Sequence, residues 1–146
     1  MNLSTHTARR LRNLPTNNME YVSAKDVLVI HARIIDETGG SQGVRDVGLL
    51  ESAVGAVSQT FDGEDLHEGV FLKGAVLLKK LTSNHAFVDG NKRTAFTAAT
   101  RFLYINDYKL AAKNNELVAF MVRVVEESLE TETIADWLEA HSQVMT

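Results

Sequence analysis

Three observations predict an all-α fold for this chain. Apolar residues recur three and four positions apart in one stretch after another, from Val27 to Leu138. Residues that start and stop helices bound those stretches: Ser23 with Asp26, Gly39-Gly40, Asp46 and Asn106-Asp107. Sustained alternation and hairpin signals are absent, and neither an internal repeat nor a low-complexity tract is found. At 146 residues the chain is expected to form one domain with a hydrophobic core.

Residues 1–18 differ from the remainder. They are rich in Thr, Asn and Arg, hold the single proline, Pro15, and read as a flexible extension to a domain over 19–146. Arg9, Arg10 and Arg12 within it form a basic cluster of a kind that is commonly solvated. Ser23 and Asp26 suit a capping box opening a helix with Val27, Ile30, His31, Ile34 and Ile35 on one face. Gly39-Gly40 ends that helix. His31 reads first as a hydrogen-bonded core histidine and second as a support behind the polar loop described below.

Asp46 caps a helix whose inner face holds Leu49, Leu50, Ala53 and Val57. Arg45 reads as a surface charge or as a partner for a carboxylate. Phe61 to Asp65 is a short acidic turn around Gly63, either a connector or a flap beside a site. From Leu66 to about Leu81 apolar residues occupy more than one helical face, which marks a central helix closed by Thr82-Ser83-Asn84. The next helix spans about Asn91 to Ile105, with Ala95, Ala98 and Ala99 small enough for close packing. Asn115 is read as the cap of a helix carrying Leu117, Phe120, Met121 and Val124. Thr133 with Asp136 is read as the capping box of a short last helix around Trp137.

Composition narrows the function. Apolar residues at 45% and charged residues at 23% are ordinary for a soluble globular protein. A net charge of −4 and a pI near 5.7 do not favour nucleic acid, so no direct nucleic-acid binding is expected. The absence of cysteine excludes disulfides and thiolate metal sites and fits a reducing cytoplasm. No apolar run approaches a membrane span, so no membrane partner is expected.

The chemistry concentrates in His85-Ala-Phe-Val-Asp-Gly-Asn-Lys-Arg-Thr94, between the two central helices. Polar groups this dense beside a core are costly unless they bind or transform something. A loop entering a helix offers unpaired backbone N–H groups and a dipole that attracts anions. Cations at a helix N-terminus are unfavourable by ~0.3–1 kcal/mol each, so Lys92 and Arg93 there argue for an anion that offsets the cost. His85 has an intrinsic pKa suited to a base near neutrality. Asp89 supplies a hard oxygen for Mg²⁺. Gly90 lets backbone approach a phosphate, and Asn91 fixes the loop or donates to a phosphate oxygen. Lys92 gives a compact charge, Arg93 a two-pronged grip, and Phe87 an inward anchor. A plainer reading stays open, in which His85 and Asp89 only hold a tight turn and the two cations are solvated. Zinc is disfavoured, because no third ligand stands at motif spacing.

His85-Ala-Phe87-Val-Asp89-Gly90-Asn91-Lys92-Arg93 resembles the Fic-superfamily signature His-x-Phe-x-Asp/Glu-Gly-Asn-Gly-Arg-x-x-Arg. It departs at Lys92, where the signature has glycine, and at Phe96, where it has a second arginine. Both departures match the Doc (death on curing) branch. The resemblance extends over Val27 to His31, Gly43 to Leu50, Gln59 to Phe61 and Asn84, covering about Tyr21 to His141.

The resemblance implies a compact Fic-fold helical domain with the motif loop between two central helices. It implies an enzyme using ATP and Mg²⁺, with His85, Asp89, Asn91, Lys92 and Arg93 catalytic. Gly90, Asn91, Lys92 and Arg93 would hold nucleotide, and Asp89 the metal. Doc proteins are toxins held by a separate antitoxin, and the branch's namesake phosphorylates a threonine of elongation factor Tu. The alternatives it leaves are AMP transfer to a protein hydroxyl, as in most Fic proteins, and a catalytically idle partner-binding module. The inhibitory motif of some Fic proteins, Ser/Thr-x-x-x-Glu-Gly/Asn, is incomplete here. Thr16 with Glu20 and Ser128 with Glu132 have its spacing, but Tyr21 and Thr133 break its last position.

Overall fold

The computed structural model describes residues 18–145, so most of the expected 1–18 extension, with Arg9, Arg10, Arg12 and Thr16, lies outside the described residues. Six helices stand among them. Helix α1 (Ala24–Thr38) opens on the expected capping box: Ser23 Oγ accepts from Asp26 N at 3.1 Å, and Asp26 accepts from Ser23 N at 2.9 Å. It buries Val27, His31 and Ile35. Helix α2 (Val47–Val57) is capped by Asp46, which accepts from Leu49 N at 3.0 Å, and turns Leu50, Ala53 and Val57 inward.

Helix α3 (Val70–Asn84) and helix α4 (Asn91–Ile105) form the centre. Ala95, Ala98 and Ala99 are fully buried on α4. Across from them stands Gly74 of α3, where an added Cβ would lie in van der Waals contact with Leu103, at 3.4 Å. Small residues on both helices let the backbones come close. Helix α5 (Asn114–Glu126) and helix α6 (Thr131–Ala140) complete the set, joined by Phe120 stacked on Trp137 with centroids 3.9 Å apart.

Several expectations need correction. Phe61 to Asp65 is not a simple turn but a hairpin, β1 (Thr60–Phe61) with β2 (Glu64–Asp65), turning through Asp62 and Gly63, both at positive φ. That Asp-Gly pair is itself a local two-residue hairpin signal, even though strands this short show no alternation. A second ribbon pairs β3 (Tyr108–Leu110) with β4 (Ser142–Val144). Helix α3 starts at Val70 rather than Leu66, because Leu66 N is spent on Gln59 O and Gly69 adopts φ 86. Asn115 lies inside α5, whose cap is Lys113, with Glu116 accepting from the Lys113 N–H. Thr133 lies inside α6, capped from Glu130.

One buried cation went unpredicted. Lys73 is fully buried on α3, with Nζ 3.3 Å from Asp65 and donating to Val57 O at 3.1 Å. It ties the hairpin to the core, and breaking such a pair leaves an uncompensated buried charge.

Candidate active site

The loop from His85 to Gly90 is set by its two ends. His85 caps α3 in the left-handed region, φ 50 and ψ 49, a conformation that histidine adopts more readily than most side chains. The turn exposes its side chain while Ala86 and Phe87 go inward, both almost fully buried. Phe87 stacks on His31 with ring centroids 3.8 Å apart, which makes it the apolar anchor that the sequence suggests. Gly90 then caps α4 at φ 76, where a Cβ would meet Ile35 Cδ1 at 2.9 Å. Both the φ and the space demand glycine.

Asn91 clasps the loop from below. Its Oδ1 accepts from Phe87 N and its Nδ2 donates to Phe87 O, each at 3.0 Å. Of the two roles open to it in the sequence, fixing the loop is the one seen. His31 does both jobs considered for it: it is buried, and its Nε2 donates to the Asp89 carbonyl at 2.7 Å.

The Asp89 carboxylate accepts from Ser41 N at 3.2 Å and from Gly90 N at 2.8 Å. These backbone donors, with smaller help from Arg93 and His31, hold its carboxyl below the usual carboxylate range. Gly40, at φ 115, leaves room for it: a Cβ there would lie 2.5 Å from Asp89 Oδ2. In the sequence Gly39-Gly40 reads only as a helix stop, so this second use was not visible. A depressed carboxyl contributes stability that is present above its unfolded pKa and lost as pH falls through the folded one. The stability that Asp89 adds near neutrality is therefore expected to fall away in acid, and Asp89→Asn should lower stability at neutral pH and flatten its decline toward low pH, read as denaturation midpoints by circular dichroism at a series of pH values.

Residues 21–103 match the Fic/DOC family. The chain belongs to that family. It is similar to Toxin Doc of Mycolicibacterium smegmatis, 46% identical over 93 residues, covering 64% of this chain and 69% of that protein. It is also similar to Protein kinase doc of Escherichia phage P1, 28% identical over 120 residues, covering 82% of this chain and 94% of that one. The helical architecture is that of the Fic fold, with the Fic/DOC motif as the loop between α3 and α4.

The two cations of this Fic/DOC motif part company. Arg93 donates to Thr38 Oγ1 and Gly39 O at the C-terminus of α1, where a positive charge is favoured. Lys92 is exposed and stands where two cavities meet. No side chain caps α4, which leaves its first-turn N–H groups open toward an anion. Phe96, in place of the signature's second arginine, lines an apolar groove of about 400 Å³ with Leu117, Val118 and Met121 of α5. Among the described residues no group of three His, Asp or Glu side chains is placed to cage a metal. The donor set fits Mg²⁺ held by one carboxylate, Asp89, together with phosphate oxygens and water.

Arg45 is the residue whose role the sequence concealed. Among the described residues it pairs with no carboxylate: Nε donates to the His85 carbonyl at 2.7 Å and Nη2 to the Asn84 carbonyl at 3.2 Å. The Arg45 and Asp46 N–H groups both reach Ala86 O, at 2.7 and 3.0 Å. Three consecutive carbonyls at the end of α3 are thus satisfied from one short segment, which is how the chain leaves the helix at His85.

Proposed function

We propose that this protein is a Doc-like toxin of a toxin–antitoxin pair, transferring the γ-phosphate of ATP to a Ser or Thr hydroxyl of a protein target. A translation factor such as elongation factor Tu is the expected class of target, and the cytoplasm the expected compartment. The observation that carries the reading is Lys92 sharing a cavity with His85 at the start of an uncapped helix. The relative named Protein kinase doc supports the same chemistry.

His85 accepts the proton of the target hydroxyl as the hydroxyl oxygen bonds to the γ-phosphorus. The bond from that phosphorus to the bridging oxygen of ADP breaks, and ADP leaves. Mg²⁺ at Asp89 would neutralise phosphate charge. The α4 N–H groups and Lys92 hold the phosphates in line, while Asn91 and His31 keep the loop rigid beneath them. Lys92 projects into space that glycine would leave open, which favours presentation of the γ-phosphorus over the α-phosphorus.

A separate antitoxin would lay an amphipathic segment into the apolar groove between α4 and α5. Val118 and Val122 are half exposed there, and Lys92 and Arg93 at one end suit an acidic residue on the segment.

The test is incubation of the protein with lysate and ATP labelled at the γ or the α position. Label on a protein band from γ alone is the expected result. Label from α alone overturns the kinase reading in favour of AMP transfer, and no label from either leaves a partner-binding module. Lys92→Gly is expected to lower phosphorylation and to admit AMP transfer, read as the mass added to the target.

A further inference from the structure

Beside His85 lies a second, smaller cavity of about 220 Å³. Its walls are one face of α3 (Lys79, Thr82 and Ser83, three and four positions apart), Lys92 on α4, Val124 and Val125 at the end of α5, and Ser128 just past it. We propose that this cavity seats the polyphosphate chain of a nucleoside triphosphate and that Lys79 is its second phosphate-binding cation. The proposal rests on the nucleotide reading above and adds a residue outside the Fic/DOC motif.

The charge balance carries the argument. The chain as a whole is acidic, with 19 carboxylate side chains against 15 Lys and Arg. Yet no Asp or Glu lines this cavity, while two lysines and a histidine do. Among the described residues neither Lys79 nor Lys92 has a carboxylate within ion-pair distance. Two ammonium groups sharing a concave site repel one another, and an anion between them reverses the sign of that interaction. The hydroxyls sort the ligand further. Thr82 and Ser83 donate back to Leu78 O and Lys79 O, at 2.7 and 2.8 Å. The Ser128 hydroxyl has no partner among the described residues and remains a donor. That one free hydroxyl on the rim, beside the two ammonium groups, suits phosphate oxygens. The cavity's entrance at Lys92 adjoins the start of α4.

Titration calorimetry in Mg²⁺ buffer, with ATP and with inorganic tripolyphosphate, tests the site. Lys79→Gln is expected to weaken both ligands by about ten-fold, the effect of losing one charge-assisted hydrogen bond. Lys79→Arg should retain binding, and Lys80→Gln, an exposed neighbour outside the cavity, should leave it unchanged. Ser128→Asp is a second variant, placing a negative charge on the rim at a left-handed position that aspartate tolerates. It should also weaken tripolyphosphate. Wild-type affinity in Lys79→Gln and Ser128→Asp, with the wild type binding ATP, overturns the cavity proposal alone. Equal losses in Lys79→Gln and Lys80→Gln overturn it too, since bulk charge would then explain the effect. A wild type that binds neither ligand overturns the nucleotide reading together with this site.

Discussion

His85→Ala is expected to lower the proposed phosphoryl transfer by about 10²–10⁴-fold, the range that a positioned general base contributes. The folded state should change little, because the side chain is exposed and fills no core space. The backbone is the one complication. His85 sits at φ 50, and alanine tolerates that region less well than histidine. His85→Asn separates the two effects, since asparagine accepts left-handed geometry and cannot serve as a base near neutrality. Both variants should lose transfer, and His85→Asn should keep the wild-type melting temperature. Near-wild-type labelling by either removes His85 from the mechanism and leaves it a helix cap.

The motif was legible because its chemistry is local. His85, Asp89, Gly90, Asn91 and Lys92 lie within one loop and one helical turn, so spacing alone places them together. The caps of α1 and α2 were legible for the same reason: each is a side chain bonding to backbone three residues on. What stayed hidden depends on backbone partners far along the chain. Ser41 N reaches Asp89 from 48 positions away, and Lys73 finds the Val57 carbonyl across 16. Nothing in residue identity marks a carbonyl as available. The ribbon of β3 with β4 was hidden because three-residue strands carry no readable alternation. The Asp62-Gly63 hairpin, by contrast, did have a local signal, and reading it as a plain acidic turn gave that signal too little weight.

Arg45→Ala is expected to lower kcat by about 10²-fold while leaving the KM for ATP near its wild-type value. A shift of about an ångström in a reacting group can cost that much. The guanidinium touches no part of the Asp89–Lys92 segment, where phosphates and metal would bind; its two side-chain bonds end on the Asn84 and His85 carbonyls. Removing it frees two carbonyls at the end of α3 and loosens His85, the proposed base. The pairing of Val44 with Phe87 and the Arg45 and Asp46 N–H bonds to Ala86 O remain, so the loop should stay folded with its imidazole less firmly aimed. Arg45→Lys keeps the charge but offers a single donor point in place of a fork, and should recover only part of kcat. Added guanidinium ion should restore turnover to Arg45→Ala without changing KM. Those three measurements distinguish aim from folding. If KM rises with kcat unchanged, Arg45 governs nucleotide binding. If the melting temperature collapses and guanidinium restores nothing, its contribution is to the fold of the loop as a whole.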